Sequence, residues 1–218
     1  YPESRHIEFL NDKDESGSTV LHCAVVSGNA ETIQTVLSAY PESQRFDAVR
    51  TKDRFNKTVL HYAARSGNLE SVKAIFAVCP KSQYLRAITI QDTDERTMLH
   101  YAAYSSPLVS HYILSLLPES HRLRVVEMQS VVGETALHVA ARSSNPEAIK
   151  VILTLYPESE RRTIVNQPTG SGMTVLHCAV ESGHSNVQAL LELLPESQRL
   201  RCMDGIPCNI SRFGYSLQ

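Results

Sequence analysis

The sequence contains no apolar run that approaches the ~20 residues needed to cross a membrane as a helix. It also has no charged-then-apolar leader of the kind that directs secretion. Its formal net charge is only −2, which gives no general attraction to nucleic acid or to an anionic membrane. We therefore expect a cytoplasmic chain with no membrane insertion and no nucleic-acid partner.

The five cysteines are an odd number and lack the spacing of a disulfide framework. Cys23, Cys79 and Cys178 fall where equivalent segments of the chain carry other apolar residues, so we predict reduced thiols in the core. Cys202 and Cys208 form the one loose pair. Zinc needs four ligands, usually in tighter pairs, and the sequence offers no second pair, so no metal is predicted.

The motifs of common catalytic sites are missing. There is no phosphate-cradling glycine loop, no Gly-x-Ser-x-Gly elbow and no His-Glu-x-x-His. His22 precedes Cys23 and His177 precedes Cys178, but neighbouring residues on a helix point in different directions and cannot form a thiol–imidazole pair. We predict no enzymatic activity and no cofactor within these 218 residues.

What the sequence does contain is repetition. Thr-x-Leu-His begins at positions 19, 58, 97, 135 and 174, at intervals of 39, 39, 38 and 39 residues. Pro-Glu-Ser, once Pro-Lys-Ser, recurs in step with it at 2, 41, 80, 118, 157 and 195. A fixed period of this length indicates a stacked array of repeats.

We predict one array over residues 1–218, with repeats at 14–52, 53–91, 92–129, 130–168 and 169–203. Residues 204–218 lack the motif and are expected to be a C-terminal cap or a truncated repeat. The chain starts without Met on a segment that elsewhere closes a repeat, so we interpret it as a fragment of a longer protein.

Each repeat carries the signals for two helices. Thr is a favourable N-cap for the first helix, and Gly28, Gly67 and Gly183 suit a left-handed residue at its end. Second helices are predicted near 29–40, 68–79, 107–117, 145–156 and 184–194, each stopped by proline. The Pro-Glu-Ser segment then predicts one extra helical turn.

The pattern Thr-x-Leu-His-x-Ala-Ala-x-x-Gly, as in residues 58–67, resembles the ankyrin repeat over about residues 11–203. The resemblance implies an all-α solenoid of five helix–turn–helix repeats and a protein-interaction function. Each repeat is five or six residues longer than the family's ~33, and the excess lies at the Pro-Glu-Ser segment. Such long repeats are similar to ankyrin arrays in effectors that intracellular bacteria inject into host cells.

Recurrence itself argues that the five signature histidines are structural. A catalytic group need not appear once per repeat, whereas a structural bond must. The resemblance implies that these imidazoles bond backbone or hydroxyl groups near the turns and tie the repeats together. The serine eight residues after each signature Thr also recurs, and we assign it to structure: Ser27, Ser66, Ser105, Ser143 and Ser182.

An arginine series follows the Pro-Glu-Ser segments and has two interpretations. It could be a basic stripe for phosphate groups, or a ladder paired with the nearby glutamates. We favour pairing with glutamate because each arginine group has a carboxylate close by in sequence. The arginines are Arg45, Arg86, Arg122, Arg124, Arg161, Arg162, Arg199 and Arg201; the glutamates are Glu42, Glu119, Glu158 and Glu196.

The resemblance places partners on a concave surface formed by first helices and loop tips, where this chain varies from repeat to repeat. Arg65, Tyr104 and Arg142 form the predicted centre, since Tyr and Arg are frequent binding hot spots. The plainer interpretation is a merely solvated surface.

We predict a monomer that binds a protein partner. In the effector interpretation, this partner is a host protein. The alternative function is a substrate-recruiting domain of an enzyme whose catalytic domain lies elsewhere. The predicted contact residues are Arg54, Phe55, Lys57, Arg65, Arg96, Tyr104, Val131, Val132, Arg142 and Met173.

Overall fold

The computed structural model describes residues 3–143 and 145–196, and these form helices with no strand. In chain order the α-helices are α1 (Glu3–Asn11), α2 (Val20–Val26), α3 (Ala30–Ser38), α4 (Glu42–Arg50), α5 (Val59–Ser66), α6 (Leu69–Ala77), α7 (Tyr84–Ile88), α8 (Met98–Ser105), α9 (Pro107–Ser115), α10 (Glu119–Val126), α11 (Ala136–Arg142), α12 (Pro146–Leu153), α13 (Glu158–Val165), α14 (Val175–Ser182) and α15 (His184–Leu193). A short 3-10 helix, Lys81–Gln83, precedes α7. The all-α solenoid predicted from the sequence is confirmed.

Each of the first four repeats contributes a first, a second and a third helix, and the described part of the fifth contributes a first and a second. The first helices are α2, α5, α8, α11 and α14; the second helices are α3, α6, α9, α12 and α15; the third helices are α4, α7, α10 and α13. First helices pack side by side along the array, α5 on α8 and α11 on both α8 and α14, and second helices pack against the next second helix. No described helix is both long and apolar enough to cross a membrane.

The core follows the repeated motif. The signature leucines, such as Leu60 and Leu99, are fully buried, and so are the alanine pairs of α5, α8 and α11. Alanine has the smallest side chain that still favours helix, so these pairs let adjacent first helices approach closely. The result is one continuous hydrophobic cluster that runs the length of the described array.

Asparagine caps most second helices, and two of the three predicted left-handed glycines are confirmed. Asn29 and Asn68 each accept two backbone N–H bonds at the start of a second helix, and Asn145 accepts one. Gly28 and Gly67 adopt the left-handed conformation at φ of 72° and 70°. The prediction for Gly183 was wrong in detail, because its φ of 129° and ψ of 177° lie outside that region and it serves as the N-cap residue of α15.

In the first four repeats, the segment after the proline is larger than the single turn predicted. Helices α4, α10 and α13 have nine, eight and eight residues, which is more than two turns each. The proline is the extended residue before each of these helices. Apolar residues near the end of the helix are buried, as Val125 and Val126 are in α10. This third helix accounts for the extra length of the first four repeats.

The predicted pairing of the arginines after proline with glutamates is wrong for most of them. Arg45, Arg122 and Arg161 each direct Nε to the carbonyl of the residue just before the proline, at 3.1–3.2 Å. These carbonyls lie at the C-terminal ends of second helices, where a cation is favourable. The only such arginine in described contact with its glutamate is Arg161, at 4.0 Å from Glu158. Arg199 and Arg201 lie outside the described residues.

Two of the three cysteine predictions agree with the structure. Cys79 and Cys178 are buried and free, but Cys23 is exposed. The equivalent residue of a later repeat lies against the preceding first helix, as Cys178 lies 3.6 Å from Nη2 of Arg142 on α11. In the described chain no first helix precedes α2, so nothing covers Cys23 in that way. Cys202, Cys208 and residues 204–218 lie outside the described part.

Candidate protein-binding surface

The loops that lead into each first helix, which we call the tips, are held by one repeated hydrogen-bond pattern. Asp14, Asp53 and Asp92 each accept backbone N–H bonds from the residues two and four positions later, at 2.8–3.0 Å. Ser130 and Thr169 occupy this position in the last two described tips and accept one such bond each. The tips are therefore rigid platforms for the side chains that vary.

Backbone hydrogen bonds also join each tip to the next. Arg54 N–H donates to the Ser16 carbonyl, and Thr93 N–H donates to the Phe55 carbonyl. In the same way, Val131 N–H donates to the Asp94 carbonyl and Gly170 N–H donates to the Val132 carbonyl, both at 2.9 Å. These bonds fix the spacing between tips. Phe55, Val131 and Val132 are consequently displayed in sequence along one edge of the array.

The signature histidines link neighbouring repeats. In all five, Nδ1 accepts the N–H of the capping threonine at 3.0–3.3 Å. In His22, His61, His100 and His138, Nε2 faces a backbone carbonyl near or within the following tip, at 2.9–3.4 Å. Nδ1 accepts an N–H and so carries no proton, whereas Nε2 faces a carbonyl and so must carry one. These four imidazoles are therefore neutral. Burial agrees with this, since it lowers the pKa of all four and brings that of His100 to about 4.

Two tyrosines on first helices are fixed by the capping aspartates. Tyr62 donates its hydroxyl to Asp53 Oδ2 at 2.6 Å, and Tyr101 donates to Asp92 Oδ2. Burial, together with this bond to a carboxylate, raises the pKa of Tyr62 to about 12. Both rings lie edge-on to the histidine of the preceding repeat. These tyrosines are therefore framework, unlike Tyr104.

The middle of the first-helix row contains an open depression of about 250 Å³. Tyr104 of α8 is 64% exposed there, whereas Tyr101 of the same helix is half-buried. The lining residues are Arg65, Arg96, His100, Tyr101, Tyr104, Glu134, Val139 and Arg142. The structure thus brings together four of the predicted contact residues, including all three of the predicted centre.

Four lining residues are absent from the predicted contact set, and Glu134 is the acidic one among them. Its side chain is only 6% exposed and lies between two guanidinium groups, with Oε1 at 2.5 Å from Arg142 Nη1 and Oε2 at 3.7 Å from Arg96 Nη2. It precedes a capping threonine, where the other tips have Ser18, Lys57, Arg96 and Met173. The acidic residue at a position that is neutral or basic in the other repeats was the sequence signal that could have identified Glu134.

The other predicted contact residues surround the depression or lie beyond it. Phe55, Val131 and Val132 are 56%, 57% and 49% exposed on their tips. Lys57 is half-buried, and its Nζ lies 5.4 Å from the Tyr101 ring centroid and 5.7 Å from that of Phe55. Arg54 is exposed and Met173 half-buried on the second and fifth described tips, outside the depression.

Sequence reasoning also missed an apolar strip on the first repeat. Val20 and Val26 of α2 are 46% and 64% exposed, and Cys23 lies between them. Nothing in the motif distinguishes Val20 from the buried Val59 and Val175, because exposure depends on what precedes each helix. Within residues 3–143 and 145–196, no group of three His, Cys, Asp or Glu side chains could hold a metal ion.

Comparison with known families agrees with this architecture. A family described as ankyrin repeats (3 copies) matches residues 5–83, 44–121, 60–163 and 111–200. The chain belongs to the ankyrin-repeat family. A comparison with curated proteins found no match. Ankyrin repeats are typically non-catalytic modules for protein–protein interaction, so membership indicates a protein partner.

Proposed function

We propose that this ankyrin array binds its protein partner on the surface formed by the first helices and tips, with Tyr104 at the centre. One observation carries the proposal: four side chains that differ between repeats line one depression, while the signature leucines and most signature histidines are buried framework. The four are Arg65, Arg96, Tyr104 and Arg142. A framework position is dictated by packing, whereas an exposed position that varies is free to be selected for a partner.

The Tyr104→Ala variant tests this surface directly. We expect the dissociation constant for the captured partner to rise about fivefold or more, corresponding to ~1 kcal/mol, because an exposed aromatic side chain at the centre of an interface loses its buried contacts. Capture from a eukaryotic cytosolic extract followed by titration calorimetry would measure the change. An unaltered thermal midpoint would show that the variant still folds.

Leu108→Ala is the matched control. Leu108 is 67% exposed at the start of second helix α9, so its truncation also removes an exposed apolar side chain, but outside the first-helix row. We expect its affinity to equal that of the wild type. Equal weakening by both variants, or none by Tyr104→Ala, would contradict the proposed surface.

We further propose that the array acts as a monomer and recruits a host protein for a bacterial effector. The support is the 38–39-residue repeat, which the third helix lengthens beyond the usual family length. Light scattering would test the monomer. A partner that occurs only in bacteria would contradict the effector role.

A further inference from the structure

The depression around Tyr104 holds more positive than negative charge. Three guanidinium groups, those of Arg65, Arg96 and Arg142, line it together with one carboxylate, Glu134, so the lining has an excess of two positive charges. His100 adds none, because burial lowers its pKa to about 4. At the rim, Asp94 lies 3.8 Å from Arg96 and is balanced by Lys57 over the Tyr101 ring. The whole chain has a net charge of −2, so this excess is local.

The existing contacts leave part of this charge without a partner. Glu134 engages Arg142 closely and Arg96 more distantly, at 2.5 and 3.7 Å. Arg96 Nε is buried and has no hydrogen-bond partner among the described residues. Arg65 is exposed at the end of α5, one helix away from that carboxylate, and no hydrogen bond or ion pair of its side chain lies in the described part of the chain. A second carboxylate entering from solvent would complete the arrangement.

We propose that the partner presents an acidic segment to this depression, with a carboxylate side chain at Arg65 and Arg96 and an apolar side chain on Tyr104. This inference rests on the proposed function and narrows its partner class. Arginine pairs carboxylates through two parallel N–H donors, and the depression already holds one carboxylate between guanidiniums. The exposed Tyr104 ring supplies the adjacent apolar contact.

The distribution of charge favours a peptide over nucleic acid. A polyanion needs cations spread along the path of its backbone. Here the three lining arginines are confined to one depression, and Asp94, 3.8 Å from Arg96, would repel a continuous run of phosphates. A short acidic segment needs only the central charges.

Selection of random peptides displayed on phage, with the purified chain as bait, tests the proposal. We expect the selected peptides to be enriched in Asp and Glu beside an aromatic or aliphatic residue. Their affinity should fall as NaCl is raised. Arg65→Glu should weaken a selected peptide about tenfold or more, and Arg65→Gln by less, because reversal adds repulsion to the lost attraction. Circular dichroism confirms that both variants fold.

Arg124→Glu provides the matched control, since Arg124 is exposed on third helix α10 and its reversal changes the net charge equally. We expect it to leave the affinity unchanged. Selection of neutral or basic peptides, an unchanged affinity in Arg65→Glu, or tighter binding of a single-stranded oligonucleotide or a phosphopeptide than of the acidic peptide would overturn the inference. If selected peptides depend on Tyr104 but not on Arg65, the inference fails while the proposed function stands; if they depend on neither, both fail.

Discussion

One tip position has a left-handed backbone in every described repeat, but its residue type varies. Gly17, Gly133 and Gly172 have φ of 78–82°, whereas Asn56 and Glu95 have φ of 55° and 58°. Asparagine tolerates this conformation, while glutamate pays a steric cost of ~1–2 kcal/mol. A Cβ atom added at Gly133 would lie 2.8 Å from the Gly170 nitrogen, so glycine is required there for space as well.

Glu95→Gly should therefore stabilise the protein. We expect the free energy of unfolding to rise by about 0.5–1 kcal/mol, since relief of the strained φ exceeds the entropy that glycine adds to the unfolded chain. Urea denaturation would measure it. Glu95→Ala keeps a Cβ atom and should give little gain; an equal gain in both variants would show that the backbone angle is not the cause.

At the scale of the helix, the third helix is joined to the end of the second by a repeated donor. In the four described repeats that contain a third helix, the residue four positions after the proline supplies it: arginine in three, and in the second Tyr84, whose hydroxyl donates to the Phe76 carbonyl at 3.2 Å. Arg161 makes two such hydrogen bonds. Its Nε donates to the Tyr156 carbonyl at 3.1 Å, and its Nη1 donates to the Leu193 carbonyl of the next second helix at 3.0 Å. It thereby links two repeats.

Arg161→Met should separate this role from simple surface charge. We expect a loss of about 1–2 kcal/mol in unfolding free energy, because two carbonyls lose a charged donor while the aliphatic packing is kept. Arg162→Met removes the same charge from the neighbouring position, whose side chain makes no hydrogen bond within the described residues, and should change stability by less than ~0.5 kcal/mol. Similar losses in the two variants, measured by urea denaturation, would contradict the role given to Arg161.

At the scale of the whole array, the buried histidines couple its stability to pH. His22, His61, His100 and His138 are almost fully buried, and desolvation lowers the pKa of each in the folded chain. The unfolded chain takes up protons near pH 6.5, whereas the folded chain does not until lower pH. The contribution of these neutral histidines to the free energy of unfolding is therefore complete above about pH 6.5 and is lost as the pH falls towards 4.

We expect the free energy of unfolding to be clearly smaller at about pH 5 than at about pH 7.5, with His100 alone accounting for about 2 kcal/mol. Urea denaturation at the two pH values measures the difference. His100→Gln should be less stable at neutral pH but lose less on acidification. A free energy that does not change over this range would contradict neutral, buried imidazoles.

Most of the architecture could be read from the sequence because its signals are local and recur. A capping threonine, a buried leucine or a capping asparagine needs only a few residues of context, and each appears in register several times. The third helix was underestimated because its sequence is polar and its helical pattern weak; burial of residues such as Val125 and Val126 stabilises it. The same limit applies to Cys23, whose exposure depends on the helix before it.

By itself, the sequence determined the family, the helix order and which repeated residues are framework. Only the tertiary structure decided how the varying residues combine. Glu134 lies between Arg96 and Arg142, which are 46 residues apart in the sequence, because the stacking of successive repeats brings the three side chains to one depression. Likewise, the arginines after proline reach backbone carbonyls because the third helix brings them next to the C-terminal end of the second helix. Contacts between repeats depend on stacking geometry, which a one-dimensional pattern does not contain.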